Sequence, residues 1–169
     1  SLNNLPKFSD KTGYEFLQKY HSPENIWNSF EIQSISKSIL ANAKNQAQNI
    51  LEDCERLNIT ILHRNHPQLP HNLQVSNYMG NLLFLQGKLP SPEEYLLGVV
   101  GTRRPDSSGE RACKYILKQI PNNLTIVSGL ASGIDFISHK QALLQGKKTI
   151  AVLGQGLPQP LSVEKQKLL

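Results

Sequence analysis

Leu96-Leu97-Gly98-Val99-Val100-Gly101-Thr102-Arg103-Arg104-Pro105-Asp106-Ser107-Ser108-Gly109 is the stretch whose reading decides the fold. An apolar strand, Leu96 to Val100, runs straight into a glycine, and a helix follows. Ser107 and Glu110 stand at the spacing of a capping box, while Ala112, Cys113, Ile116, Leu117 and Ile120 recur as one buried helical stripe. Pro121-Asn122-Asn123 ends the helix. Leu124 to Val127 then reads as a second strand, followed by Ser128-Gly129-Leu130-Ala131-Ser132-Gly133-Ile134-Asp135 and a helix stopping near Gly146. Thr149 to Leu153 reads as a third strand, followed by Gly154-Gln155-Gly156. One helix per crossover makes the strands parallel and the connections right-handed, so all three glycine loops leave the same edge of the sheet.

Open α/β sheets bind ligands at that edge. Glycine lets backbone amides approach an anion, and the helix N-termini behind the loops add oriented N–H groups and partial positive charge. Arg103 can grip a phosphate with its planar fork of donors. The three glycine loops, with Gly101, Thr102, Arg103 and Ser107 in the first, Gly129 and Gly133 in the second and Gly154 and Gly156 in the third, are thus expected to form an anion pocket. Glycines at strand ends also serve tight turns alone, and the residues by themselves leave that reading open. Neither G-x-G-x-x-G nor G-x-x-x-x-G-K-[ST] occurs, which argues against NAD and nucleotide hydrolysis. No cofactor, metal or catalytic residue is expected; His63, His66 and His71 cluster in a connector but lack an acidic or thiol partner.

Upstream, residues 7–57 read as helices. Asp10 is placed to cap a segment through Tyr20, and Ser22-Pro23-Glu24 starts another ahead of Ile26, Trp27 and Phe30. A longer helix follows, with Ile35, Ile39, Ala43, Ala47, Ile50, Cys54 and Leu57 along one face. Ile59 to Leu62 and Leu82 to Leu85 read as strands. The expected domains are a small helical one, residues 1–57, and the N-terminal part of an α/β domain, residues 58–169.

Net charge is +5, and its distribution is uneven. Residues 1–97 hold 8 Lys/Arg against 9 Asp/Glu, whereas residues 98–157 hold 8 against 3. The basic excess coincides with the glycine loops and favours a polyanion. No run of about 18 apolar residues exists to span a bilayer, and Ser1-Leu2-Asn3-Asn4 lacks the basic start and apolar core of a signal peptide. A cytoplasmic protein without membrane contact is expected, with Cys54 and Cys113 as reduced core thiols.

Gly101-Thr102-Arg103, Val127 to Asp135 with His139 four residues on, and Thr149 to Leu157 together resemble the DprA/Smf family of DNA-processing proteins. The resemblance is dense over residues 96–157. It implies an extended Rossmann-like sheet behind a SAM-like helical domain. It also implies a protein of natural transformation that binds and protects single-stranded DNA and loads the RecA recombinase. By the resemblance Arg103 is the phosphate-gripping arginine, and Ser128, Gly129, Gly133 and Asp135 form the second pocket loop, where Ser128 could donate directly to phosphate. The early helical place of Asp135 suggests capping and loop fixation, and His139 is read with it as loop scaffold. Lys140, Lys147 and Lys148 are candidates for phosphate attraction. The family's Tyr-Pro after the third glycine loop is replaced by Ser162 to Leu169, so the sheet reads as truncated after its third β-Gly unit; a fragment or a shortened gene product would explain this. A homodimer would form through the missing part. The alternative is a phosphoribohydrolase of the LOG or lysine-decarboxylase-like class, whose Pro-Gly-Gly-x-Gly-Thr-x-x-Glu signature is absent.

Overall fold

A computed structural model describes residues 15–168, apart from 17, 77–79, 92 and 158. The expected Asp10 cap lies outside the described residues. The chain divides into two compact units, Ser1–Leu89 and Pro90–Leu169, so residues 58–89 group by contact with the helices that precede them.

In the first unit, helical residues 18–20 precede the short helices α1 (Pro23–Trp27) and α2 (Phe30–Gln33), and the long α3 (Lys37–Arg56) follows. Each of α1, α2 and α3 starts on a serine. Ser22 accepts the Asn25 amide at 3.1 Å, with proline at the first helical position, as its sequence spacing suggests. Ser29 and Ser36 repeat the device with the amides of Ile32 and Ile39, both at 3.4 Å. Ile26, Ile32 and Ala43 form the core, with Phe16, Tyr20, Trp27, Ile35 and Leu40 around it. The apolar face of α3 is less buried than its periodicity implies: Ala43 and Cys54 are buried, but Ile39 and Ile50 are partly exposed. Strand β1 (Ile59–His63) pairs antiparallel with β2 (Leu82–Gln86), Ile61 opposite Phe84. The short α4 (His71–Gln74) lies in their connection, and α3 packs on β1.

The second unit is the α/β half. Strands β3 (Tyr95–Gly98), β4 (Leu124–Ser128) and β5 (Thr149–Ala151) form a parallel sheet in that order, with Leu97, Ile126 and Thr149 in register. Helices α5 (Ser107–Gln119) and α6 (Ile134–Leu144) are the two crossovers, and the short α7 (Val163–Gln166) follows. Leu117 of α5, Ile126 of β4 and Ala142 of α6 make one core cluster, so both long helices cover the same face. This is the Rossmann-like α/β arrangement that the strand–glycine–helix repeats predict.

The helical stripe on α5 is narrower than expected. Leu117 is buried and Cys113 and Ile120 half-buried, but Ala112 and Ile116 are exposed. Positions 113, 117 and 120 lie along one line of the helix; 112 and 116 sit about 100° further round, past the edge of the contact.

Candidate functional site

The loops after β3 and β4 meet at the C-terminal edge of the sheet. The Ile134 amide, at the start of α6, donates to the Thr102 carbonyl at 3.1 Å. Gly101 leaves room for the Ile134 side chain, since a Cβ built there would lie 2.7 Å from it. Gly133, at φ +83°, is the N-cap of α6 and lies against the backbone of Thr102 and Arg103. The two loops are thus joined backbone to backbone, with glycine required at the contact.

That contact fixes the backbone beneath Arg103 while leaving its side chain exposed. Thr102 Oγ1 accepts the Arg104 amide at 3.2 Å, which tightens the same turn. Arg103 overhangs an open groove of ≈ 590 Å³ between α5 and α6, lined also by Lys114, Lys140, Glu110 and Phe136. Lys114 pairs with Glu110 at 3.3 Å; Lys140 is exposed. Lys114 lines the same groove as Arg103, and its i,i+4 spacing from Glu110 gave no sign of that in the sequence.

Several expected site residues stand differently in the structure. Ser107 is not the cap of α5: Asp106 is, its Oδ1 accepting the Gly109 amide at 2.7 Å. A carboxylate is the stronger acceptor beside a helix N-terminus, and Ser107 becomes the first helical residue. Ser128 is buried and its hydroxyl donates to the Val99 carbonyl at 2.7 Å. That hydrogen is therefore committed to joining β3 to β4, and direct donation to a phosphate is not available in this arrangement. Lys148 precedes β5 and so lies at the opposite edge of the sheet, paired with Glu94 at 2.5 Å; it does not join the loops. Glu94 also accepts from Thr125 Oγ1 at 2.9 Å, and these partners hold its carboxyl below the usual range, Lys148 foremost. Lys147 is buried, and its Nζ donates to the carbonyls of Leu117 and Ile120 at 3.0 and 2.7 Å, closing the C-terminus of α5.

Asp135 is buried but is not a helix cap, because Gly133 holds that position with no side-chain bond. Its Oδ2 occupies the space over Gly129, 2.9 Å from where a Cβ would stand. His139, one turn on, is almost fully buried with Nδ1 2.6 Å from Thr149 Oγ1. Burial holds its imidazole below the ordinary range, against the Asp135 charge and the Ser128 backbone, which raise it. Gly154 and Gly156 are exposed beyond β5, and a Cβ at Gly154 would meet nothing within 4 Å among the described residues. The loops after β3 and β4 therefore form the joined part of the candidate site. Among the described residues no group of three His, Cys, Asp or Glu side chains could hold a metal, and His63 and His66 meet edge-on, ring centroids 5.5 Å apart.

Residues 59–169 match the family model described as DNA recombination-mediator protein A. The chain is 43% identical over 76 residues to the DNA processing protein DprA of Streptococcus pneumoniae, covering 45% of this chain and 27% of that protein. It is 31% identical over 160 residues to Protein Smf of Synechocystis sp., covering 83% of this chain and 39% of that one. Protein Smf of Escherichia coli is 40% identical over 89 residues, 52% of this chain and 24% of that one. Among solved structures, the X-ray structure of DNA processing protein A from Streptococcus pneumoniae superposes with a TM-score of 0.66 at 23% identity, over 96% of this chain and 64% of that one. That likeness shows the fold. The chain spans well under half the length of these curated relatives.

Proposed function

The chain belongs to the DNA recombination-mediator protein A family, and from that premise we propose that its α/β unit holds single-stranded DNA by the phosphate backbone at the Gly101–Arg103 and Gly129–Gly133 loops. The observation that carries this reading is the backbone contact between the loops. It holds rigid the turn that carries Arg103, whose side chain is exposed and has no ion pair among the described residues. A guanidinium already positioned, with no internal partner to give up, loses little on meeting a phosphate. The basic excess of residues 98–157 adds attraction for any polyanion.

As part of the same reading, the protein shields incoming single strands in the cytoplasm and passes them to the RecA recombinase, and the site performs no bond-breaking chemistry. Family membership supports the recombination role. For the absence of chemistry, the support is that Asp135 and His139, on the helix that follows the second loop, are buried.

The test is a titration of the protein with labelled oligonucleotides of several sequences over a range of salt. Phosphate binding predicts similar affinities for all, with log affinity falling by about 0.7 per phosphate contacted as log salt rises. A salt-independent or sequence-restricted affinity would count against it.

A further inference from the structure

We propose that the groove between α5 and α6 is the path by which a single strand leaves the loops, with a base seated against Phe136 and a phosphate held by Lys140. This rests on the reading of the loops as a phosphate site and extends it to a surface outside them.

The groove begins at the loops, where Arg103 and Gly133 line its head. From α5 it is lined by Glu110 and Lys114, and from α6 by Phe136, Lys140 and Leu144. Residues four apart stand one above the other on a helix, so each wall is a single stripe. The stripe on α6 rises about 12 Å away from the loops, more than the spacing of neighbouring phosphates. Its volume of ≈ 590 Å³ falls within the roughly 300–1,000 Å³ of clefts that take a ligand of nucleotide size.

Three cations line this groove against one carboxylate, and that carboxylate, Glu110, is already paired with Lys114. Arg103 and Lys140 are exposed and have no ion pair among the described residues. The charge thus suits a polyanion. Arg103 belongs both to the loop turn and to the groove, so a phosphate held there sets the next part of the strand at the groove's mouth. The apolar lining gives nothing to a phosphate: Phe136 is half-buried and Leu144 is 73% exposed. Bases supply what the phosphates lack, because an aromatic ring takes any base by its face.

Titrations of the chain with a labelled oligothymidylate, and with an abasic strand of the same length, test this. Lys140→Gln should lower affinity for both about threefold or more and lessen the salt slope by about 0.7, the share of one phosphate on a single strand. Phe136→Leu keeps the apolar bulk and removes the ring; it should lower oligothymidylate affinity about fivefold or more and leave the abasic strand unchanged. Lys118→Gln removes the same charge from an exposed position of α5 outside the groove lining and should do neither. Should Phe136→Leu fail to fold, Lys140→Gln and the unaltered chain's preference for oligothymidylate over the abasic strand carry the test. Equal effects of Lys140→Gln and Lys118→Gln, with Arg103→Ala still weakening binding, overturn this proposal and leave the loop reading standing. Equal losses on both strands from Phe136→Leu overturn the seated base. Binding of an oligoglutamate peptide that Lys140→Gln abolishes, with strand affinity intact, assigns the groove to an acidic peptide and overturns the proposal. Absence of strand binding by the unaltered chain overturns the phosphate reading and the proposal with it.

Discussion

Gly133 rests so close to Thr102 that a Cβ built on the glycine would stand 2.3 Å from the Thr102 carbonyl oxygen. The neighbouring Ile134 amide donates to that same oxygen. One carbonyl thus receives the hydrogen bond that joins the loops and sets the distance at which they join.

Gly133→Ala should therefore do more than remove flexibility. Positive φ strains any other residue, and here the new methyl meets backbone that has no side-chain rotamer to relax it. A loss of about 2 kcal/mol or more is expected, with faster hydrogen exchange at the Ile134 amide. Gly154→Ala, facing open space, should stay within about 0.5 kcal/mol. Denaturant melts of the two variants make the comparison, and equal losses would refute the assigned contact.

Arg103→Ala should weaken single-strand binding by roughly 1.5–3 kcal/mol without lowering the melting temperature, the scale of a charge-assisted contact made from an exposed loop. Arg104, directed by the following Pro105 toward extended backbone, should matter less. Anisotropy titrations at one salt concentration rank them. Equal effects would reduce the loop to a diffuse basic patch.

Lys147 and Lys148 are adjacent in sequence and opposite in consequence. Lys147→Met removes two hydrogen bonds from a buried charged donor to the end of α5 and should cost about 1.5–3 kcal/mol of stability. Lys148→Met breaks an ion pair whose lysine is exposed and should cost much less than Lys147→Met. Neither should lower DNA affinity in the folded protein by as much as Arg103→Ala. A larger binding loss in the Lys148 variant would contradict its placement at the far edge of the sheet.

Stability of the free protein should fall as pH drops below about 6.5, the ordinary histidine value. Burial makes the folded His139 ring hold its proton less tightly than the unfolded chain does, so the unfolded state takes up more protons as pH falls. The contribution is fully present above 6.5 and is lost on the acid side. Thermal melts from pH 8 to pH 5 should show a decline that is shallower in His139→Gln. Parallel curves would mean that other groups cause the acid loss.

Much of the candidate site's position was legible in the sequence. The spacing of Gly101, Gly129 and Gly133 after apolar strands placed two loops on one sheet edge, because parallel strands with single-helix crossovers admit no other arrangement. Ser22 was readable as a cap because its partner lies three residues away. Asp106 has the same spacing from Gly109, yet Ser107 offered an equally good local pattern, and local pattern alone could not rank them.

What the sequence by itself determined was the order of elements and the edge where the loops emerge, since periodicity, glycine and capping act over one or two turns of chain. What only the tertiary structure decided was which polar groups remain free around the sheet. Ser128 meets Val99 across 29 residues, Lys147 meets Ile120 across 27, and Lys148 meets Glu94 across 54. Each pairing consumes a donor that looked available in the sequence. Hydrogen bonds and ion pairs depend on distances of a few ångströms between segments remote in the chain, and those distances exist only once the sheet and its helices have packed.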